Sequence, residues 1–234
     1  MGKHDVESGL YPTMNENPQF RWAFIRKVYI IIALQLLLTA AVASVVVFVP
    51  RIPDFVLRTP AGLAIYIGSV ILSLILLCPL YVFHKKHPVN LILLVLFTVT
   101  FSFGVGLSCA FAPGKVILQA VILTSVMVTG LTLYTFWAVK RGQDFKFLGP
   151  FLFGSLLVLC FFGIMQVFFP FGKITTTIYS GLAALLFCAY IVYDTDELIK
   201  RYTYDEYICA AVSLYLDIVN LFLALLNILR VVDA

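Results

Sequence analysis

Residues 208–230 read ICAAVSLYLDIVNLFLALLNILR, an apolar run that carries a single acid, Asp217, at its tenth position. About 20 apolar residues are enough for a helix to cross a membrane. A charge near the middle of a bilayer costs at least about 2.5 kcal/mol, so an acid at that depth indicates a functional site. Asp217 is the only carboxylate that the sequence places squarely at membrane depth, and it is the first candidate site residue.

Polar residues follow one face of this last run. Ser213, Asp217, Asn220 and Asn227 are separated by 4, 3 and 7 residues, which puts all four on one stripe of a helix. A polar stripe at membrane depth must contact protein or water, because lipid cannot satisfy its hydrogen bonds. The pattern therefore predicts that the last helix is central and is surrounded by the others.

The whole chain has the composition of a polytopic membrane protein. Of its 234 residues, 62% are apolar and 12% are charged, whereas soluble domains have about 45–50% and about 25%. We therefore predict an all-α, seven-transmembrane-helix bundle, with a polar tail at residues 1–27 and the transmembrane domain at residues 28–234. The seven predicted spans are 28–50, 61–83, 89–111, 116–138, 147–169, 174–198 and 208–230.

Small and polar residues recur at four-residue spacing within other runs. Gln35 and Thr39 share one face of the first run, and Ser102 and Gly106 share one face of the third. Membrane helices pack through such residues, because small side chains allow close approach and hydroxyl groups bond across the interface. We interpret these positions as contacts between helices rather than as the lining of a pore.

The distribution of lysine and arginine predicts the orientation. The N-terminal tail and the loops on its side hold eleven of these residues, and the opposite loops hold four. The more basic side normally faces the cytoplasm, so the N-terminus is predicted to be cytoplasmic. The net charge of +4 reflects this bias, and no basic patch with interleaved aromatic residues indicates a nucleic-acid partner. Whether the last run crosses the membrane completely stays open.

A second acid, Asp194, lies near the inner end of the run before Asp217. Asp194 is about five residues (about 8 Å) from that end and Asp217 about ten (about 15 Å), an offset that side chains can bridge if the helices touch. Two carboxyl groups so close in a low dielectric cannot both be charged cheaply, so we expect them to share a proton. The pair is predicted to sense pH and, when deprotonated, to bind Ca²⁺ weakly and transiently.

The neighbouring acids Asp196 and Glu197 receive a different interpretation. They stand close in sequence to Lys200 and Arg201. We expect all four to lie in a solvated loop as an ordinary charge cluster.

Several other functions compete for the two acids. An intramembrane aspartyl protease needs Gly-x-Gly-Asp at the second acid, but residues 214–217 read Leu-Tyr-Leu-Asp and no Pro-Ala-Leu follows. All three histidines fall in the tail or a loop, which argues against a metal-dependent or serine hydrolase within the membrane. A seven-helix receptor normally has its N-terminus outside. We therefore predict no enzyme, while a purely structural role for Asp217, bonded to Thr or Asn on neighbouring helices, stays open.

The motifs around these acids resemble the transmembrane Bax inhibitor motif-containing family, specifically its lifeguard branch. The resemblance covers nearly the full length, from RWAFIRKVY at residues 21–29 to SLYLDIVNLF at residues 213–222, with Tyr-Asp-Thr at 193–195. It implies a seven-helix bundle with the last helix central. It also implies Ca²⁺ leak from internal stores and suppression of cell death at the endoplasmic reticulum, the Golgi or related membranes. The family's pH-sensitive latch of two acids maps onto Asp194 and Asp217.

The sequence departs from that family at one place. Bacterial relatives have an arginine at the inner end of the second helix that pairs with the first acid, whereas this chain has His84, Lys85 and Lys86 there. A histidine partner would titrate near neutral pH, so the latch is expected to respond differently. The alternative is that these three residues are only cytoplasmic anchors.

Two functional hypotheses follow. The first is a pH-sensitive calcium leak that modulates programmed cell death, with calcium as the transported ion and no cofactor. The second is a non-conducting membrane scaffold that acts through other cell-death or calcium-handling membrane proteins. In both hypotheses membrane lipid surrounds the protein, and neither involves nucleic acid.

Overall fold

The computed structural model describes residues 18–169 and 172–233, and within these ranges the chain is helical with no β-strand. Seven of its helices are long and apolar enough to cross a membrane. The fold is therefore that of a polytopic all-α membrane protein, as predicted. The helices are α1 Pro18–Phe48, α2 Arg51–Arg58, α3 Pro60–Val82, α4 Val89–Ala110, α5 Gly114–Lys140, α6 Leu148–Phe168, α7 Lys173–Lys200 and α8 Tyr207–Asp233.

Two elements differ from the helices predicted from hydropathy. Helix α1 begins at Pro18 rather than near residue 28, so the last part of the predicted tail is helical. Proline suits the first position of a helix because the missing N–H would have no partner there. The short helix α2 occupies a predicted loop, and its Asp54 and Arg58 form an exposed ion pair of 3.3 Å. Apolarity did not reveal either element, because charged residues interrupt both stretches.

The chain divides into two compact units, each formed by separate stretches of sequence. The N-terminal unit contains residues 23–113 and 203–215, and the C-terminal unit contains the described residues of 1–22, 114–202 and 216–234. Helix α8 contributes its first turns to the N-terminal unit and the remainder to the C-terminal unit.

Helix α8 is the most enclosed of the seven long helices. In its most apolar window 72% of the residues are buried, compared with 6–39% in the other six. The other long helices carry many exposed apolar side chains, as expected where lipid replaces water as the solvent. The burial of α8 agrees with the central position that its polar stripe predicted.

A hydrogen-bonded set of side chains, here called the hydroxyl network, joins three helices of the N-terminal unit. Thr39 contacts the hydroxyl of Tyr215 at 2.7 Å and accepts a bond from Ser102 at 2.9 Å. Gln35 donates to Thr98 at 3.1 Å. Tyr215 is fully buried, and each of these side chains forms a hydrogen bond with another side chain of the protein. The interpretation of Gln35, Thr39 and Ser102 as interhelical contacts is therefore confirmed.

Close packing at Gly106 brings α1 and α4 together in the same unit. A Cβ atom at this position would lie 2.9 Å from Cβ of Val46 and 3.0 Å from Cα of Ala43. The second of these atoms belongs to the backbone, so it cannot move aside without shifting α1. By contrast, a Cβ atom at Gly104 would meet nothing within 4 Å.

We predict that Gly106→Ala destabilises the protein and that Gly104→Ala does not. Overpacking a helix contact costs about 1–3 kcal/mol, whereas alanine at an open helical position is stabilising by about 0.5–1 kcal/mol. The midpoint of thermal unfolding of the purified protein in detergent measures the difference. Equal midpoints for the two variants would contradict the close contact between α1 and α4.

Candidate functional site

The carboxyl groups of Asp194 and Asp217, here called the acid pair, meet in the C-terminal unit. Asp194 lies near the end of α7 and Asp217 in α8, and their side chains are hydrogen-bonded to each other. Asp217 is only 6% exposed, and its Oδ2 atom has no hydrogen-bond partner. The structure thus brings together the two acids that the sequence singled out, while their function stays a prediction.

The contact between the two acids has a direct chemical requirement. An ionised carboxylate can only accept hydrogen bonds, so a bond between two carboxyl groups requires a proton on one of them. Without that proton, two negative charges would face each other in a medium that solvates charge poorly. The observed arrangement is therefore that of a pair holding at least one proton.

The acid pair interacts with a tyrosine and with a further acid, Glu197, which is itself ion-paired with Arg201. Tyr190, one turn earlier on α7, lies close enough to interact with both acids, and Glu197 interacts with Asp194. Farther from the end of α7, helices α7 and α8 pack against each other through an apolar cluster. Its buried members are Ala183, Ala184, Phe187, Ile191, Leu221, Ala224 and Leu225. The acid pair thus lies at one end of a packed apolar contact between α7 and α8.

The placement predicted for Asp196 and Glu197 is wrong. Helix α7 continues through both residues to its end at Lys200, and Asp196 is completely buried. Lys200 lies 2.6 Å from one oxygen of Asp196, Arg201 lies 3.4 Å from the other, and the N–H of Phe145 donates to the latter at 3.3 Å. These partners compensate the carboxylate for lost water, which allows the helix to carry it inward. The association of these acids with Lys200 and Arg201 is as predicted.

Asp144 belongs to the same group of charges. We call this group, which consists of Asp144, Asp196, Lys200 and Arg201, the α7 end cluster. Arg201 lies 2.5 Å from the carboxylate of Asp144, the N–H of Lys146 donates to it at 2.9 Å, and Lys200 lies 3.9 Å away. Partial burial alone would raise the pKa of Asp144, but the two hydrogen bonds and the two cations lower it from 3.8 to about 2. Burial alone would lower the pKa of Arg201, and its bond to Asp144 raises it instead.

Arg21 caps the end of α7, a role that sequence reasoning missed. Its three guanidinium nitrogens donate to three backbone carbonyls, those of Leu198 at 2.7 Å, Ile199 at 2.7 Å and Tyr202 at 2.6 Å. The last carbonyls of a helix have no partner within the helix, and a basic side chain can satisfy them. In the sequence, Arg21 served only as one of the cations of the N-terminal tail, because the residues around it give no sign of a partner so distant in the chain.

The other residues of the polar stripe contact neighbouring helices or the backbone of α8 itself. Ser213 lies 3.4 Å from the hydroxyl of Tyr81 in the N-terminal unit. In the C-terminal unit, Asn220 donates to the carbonyl of Leu216 in its own helix, and Asn227 donates to Ser180 at 3.2 Å. The three stripe residues are half-buried. The contacts of Ser213 and Asn227 join α8 to neighbouring helices, whereas that of Asn220 stays within α8.

The three residues predicted as latch partners lie in the N-terminal unit. His84 contacts the carbonyl of Tyr81 at 2.5 Å, Lys86 lies over the ring of Phe83, and Lys85 is exposed. These contacts are all within one short segment. A latch role for His84, Lys85 or Lys86 therefore stays a prediction.

As a metal site, the acid pair offers two carboxyl groups, the hard oxygen ligands that Ca²⁺ prefers. Residues 18–169 and 172–233 contain no cluster of three or more His, Cys, Asp or Glu side chains able to hold a metal ion. The weak, transient calcium site predicted at Asp194 and Asp217 stays a prediction.

Comparison with known proteins shows extensive similarity. Residues 21–233 match the family described as inhibitor of apoptosis-promoting Bax1. Protein LIFEGUARD 4 of Arabidopsis thaliana is 63% identical over 99% of this chain and 96% of its own length. Protein LIFEGUARD 2 of the same plant is 61% identical over 99% and 98%. The Golgi anti-apoptotic protein of vaccinia virus (strain Lister) is 37% identical over 90% and 86%. The resemblance inferred from the motifs is confirmed.

We predict that Asp144→Asn lowers the free energy of unfolding by an amount that depends on pH. Because folding lowers the pKa of Asp144 from 3.8 to about 2, its contribution to stability is present above about pH 4 and disappears as the pH falls towards 2. The exposed position limits the loss to about 0.2–1 kcal/mol. Thermal unfolding at about pH 6 should therefore separate the variant from wild type, and unfolding near pH 2 should not.

The matched control for Asp144→Asn is Asp54→Asn, which breaks an ion pair whose side chains are both more than half exposed. This control should change the unfolding midpoint less. A difference between Asp144→Asn and wild type that is the same at both pH values would contradict the assigned electrostatic contribution.

We also predict that Arg21→Lys loosens the end of α7. Lysine keeps the charge, but its single nitrogen cannot reproduce the planar fork that reaches three carbonyls. The expected loss is about 1–3 kcal/mol of stability, with faster hydrogen exchange near the end of α7. Arg26→Lys, at an exposed position of the same helix, is the control. Unchanged exchange in Arg21→Lys would show that the cap does not hold the helix end.

Proposed function

The chain belongs to the family described as inhibitor of apoptosis-promoting Bax1, and on that premise we propose that it suppresses programmed cell death through a pH-sensitive calcium leak. It acts without an enzymatic step and without a cofactor, and calcium is the ion it transports. We propose that it acts in the Golgi, the endoplasmic reticulum or a related internal membrane, and the name of a viral relative, Golgi anti-apoptotic protein, supports the first of these. The N-terminus faces the cytoplasm in this proposal, as the charge distribution predicts.

The observation that carries the proposal is the hydrogen bond between Asp194 and Asp217 on neighbouring helices. While the pair holds a proton, this bond ties α7 to α8. When the proton leaves, the two carboxylates repel each other and become ligands for a hard cation. Because metal ligands must be deprotonated to bind, calcium affinity at the pair rises with pH. The flux is therefore proposed to increase as the pH increases.

The groups near the pair favour this direction of the response. Glu197, which is ion-paired with Arg201, adds a negative charge beside Asp194, and Tyr190 adds a hydroxyl near both acids. A further negative charge opposes ionisation of the pair but attracts a divalent cation once ionisation has occurred. The same negative charge thus makes the pair harder to deprotonate and favours calcium binding once the pair is deprotonated.

A specific observation also supports the alternative, a non-conducting scaffold. Beyond the acid pair, α7 and α8 close in the apolar cluster that includes Ile191 and Leu221, both completely buried. A packed apolar contact has no room for a hydrated ion. A leak therefore requires these helices to separate, whereas a scaffold acting through partner proteins does not.

We predict that Asp217→Asn abolishes the pH dependence of calcium flux in liposomes that contain only this protein. Asparagine can donate a hydrogen bond to Asp194 at any pH, so the variant keeps the tie between helices but loses the shared proton. Wild-type flux should rise between about pH 5 and about pH 8, and the variant should give a low, flat profile. A calcium-sensitive dye inside the liposomes measures both.

Asp54→Asn is the control, because it removes an exposed acid that has no contact with the pair. It should retain the wild-type pH profile. Identical profiles for wild type and Asp217→Asn would refute the leak through the acid pair. No flux from any form, together with intact protection from cell death by Asp217→Asn, would favour the scaffold.

A further inference from the structure

The N-terminal unit contains a groove of about 390 Å³ that the acid pair does not involve. We call it the basic groove, and the argument uses six of its lining residues: Arg26, Lys27, Ile30, His87, Leu91 and Tyr207. Its volume is in the range of pockets that bind small molecules, about 300–1,000 Å³.

The basic groove lies where three membrane helices enter the membrane from the same side. Its residues come from the beginning of the apolar part of α1, the first turn of α4 together with His87 just before that helix, and the first residue of α8. These are the first, third and seventh long helices, and successive crossings alternate in direction, so all three start on one side. That side holds the majority of lysine and arginine residues. The groove therefore lies at the depth of the lipid headgroups of the more basic, cytoplasmic leaflet.

The polar end of the groove is built for an anion. Arg26 and Lys27 are exposed cations, and no carboxylate is among the residues that line the groove in the described part of the chain. Lys27 is held 3.2 Å above the centre of the Tyr207 ring, and Asp205, which does not line the groove, also attracts it. The groove thus presents two positive charges to a phosphate group, one of them held in place by the ring of Tyr207.

Tyr207 adds a hydrogen-bond donor at the same place. Its hydroxyl oxygen accepts a bond from the amide of Asn90 at 3.0 Å. Asn90 is 1% exposed and also bonds to the carbonyl of His84, so its position is fixed. A phenol that accepts one bond still has its own hydrogen to donate. The hydroxyl of Tyr207, a residue that lines the groove, thus keeps a hydrogen available for donation.

The other end of the groove is apolar. Ile30 lies one turn deeper along α1 than Arg26, and Leu91 lies in the first turn of α4, four residues after His87. A free phosphate ion gains nothing from contact with these apolar side chains, whereas the first carbons of an acyl chain are stabilised by packing against them. We infer that the basic groove binds an anionic phospholipid, with the phosphate at Arg26, Lys27 and Tyr207 and the acyl chains against Ile30 and Leu91. This site is separate from the proposed calcium leak and does not depend on it.

The test titrates the full-length protein, purified in neutral detergent, with three probes. These are dioctanoyl phosphatidylserine, dioctanoyl phosphatidylcholine and inorganic phosphate, and native mass spectrometry counts the bound molecules. Wild type should prefer the serine lipid to both others. Each basic residue at a membrane surface contributes about a factor of five, so Arg26→Gln with Lys27→Gln should weaken phosphatidylserine binding about thirtyfold.

The chain offers a closely matched control in Lys140→Gln with Arg141→Gln. These neighbouring residues are also exposed, and Arg141 lies over the ring of Trp137 as Lys27 lies over Tyr207. The control removes the same charge from the same predicted side of the membrane, but it does not touch the groove. It should change phosphatidylserine binding by less than about threefold.

A second variant separates the shape of the groove from its charge. Ala23→Trp keeps both cations but fills the groove, which Ala23 lines, so it should also weaken phosphatidylserine binding. Equal losses in the two double variants would show only general surface attraction and overturn the inference. So would equal affinity for the two lipids, displacement of the serine lipid by inorganic phosphate at similar concentration, or full binding by Ala23→Trp.

Discussion

The structure depends on one constraint: a carboxyl group enclosed among membrane helices must either hold a proton or have a partner that replaces water. Asp217 meets this constraint through Asp194 on the neighbouring helix. The partner is another acid rather than a cation, so the contact exists only in a protonated form. A basic partner would have made a permanent ion pair. An acidic partner makes the contact between α7 and α8 conditional on pH.

The two units satisfy their buried polar groups in different ways. The hydroxyl network of the N-terminal unit consists of neutral groups, whose bonds do not change near neutral pH. The acid pair of the C-terminal unit needs a proton to keep its bond. Helix α8 carries a member of each, Tyr215 in the network and Asp217 in the pair. A single helix therefore combines a contact that is permanent with one that is conditional, two residues apart.

Sequence alone could predict those features that depend on apolarity and on helical period. Seven runs of hydrophobic residues revealed the long helices, and the spacing around Asp217 indicated an enclosed last helix. Asp196 was misplaced because charged residues near one another in sequence suggest a solvated segment until their partners are known. Phe145, which bonds to Asp196, and Asp144, which pairs with Arg201, both come from a distant loop. The cap formed by Arg21 was missed for the same reason, since about 180 residues separate donor from acceptor.

These two missed features both act on the helix that carries Asp194. The cap ties the last carbonyls of α7, and the α7 end cluster ties the side chain of Asp196 two residues after Asp194. Hydrogen bonds to charged donors are stronger than neutral ones, so the end of α7 is held by several strong contacts. Asp217, in contrast, has a carboxylate oxygen without any partner. Repulsion within a deprotonated pair therefore acts between a helix end held by charged contacts and α8, the most enclosed of the long helices in the described part of the chain.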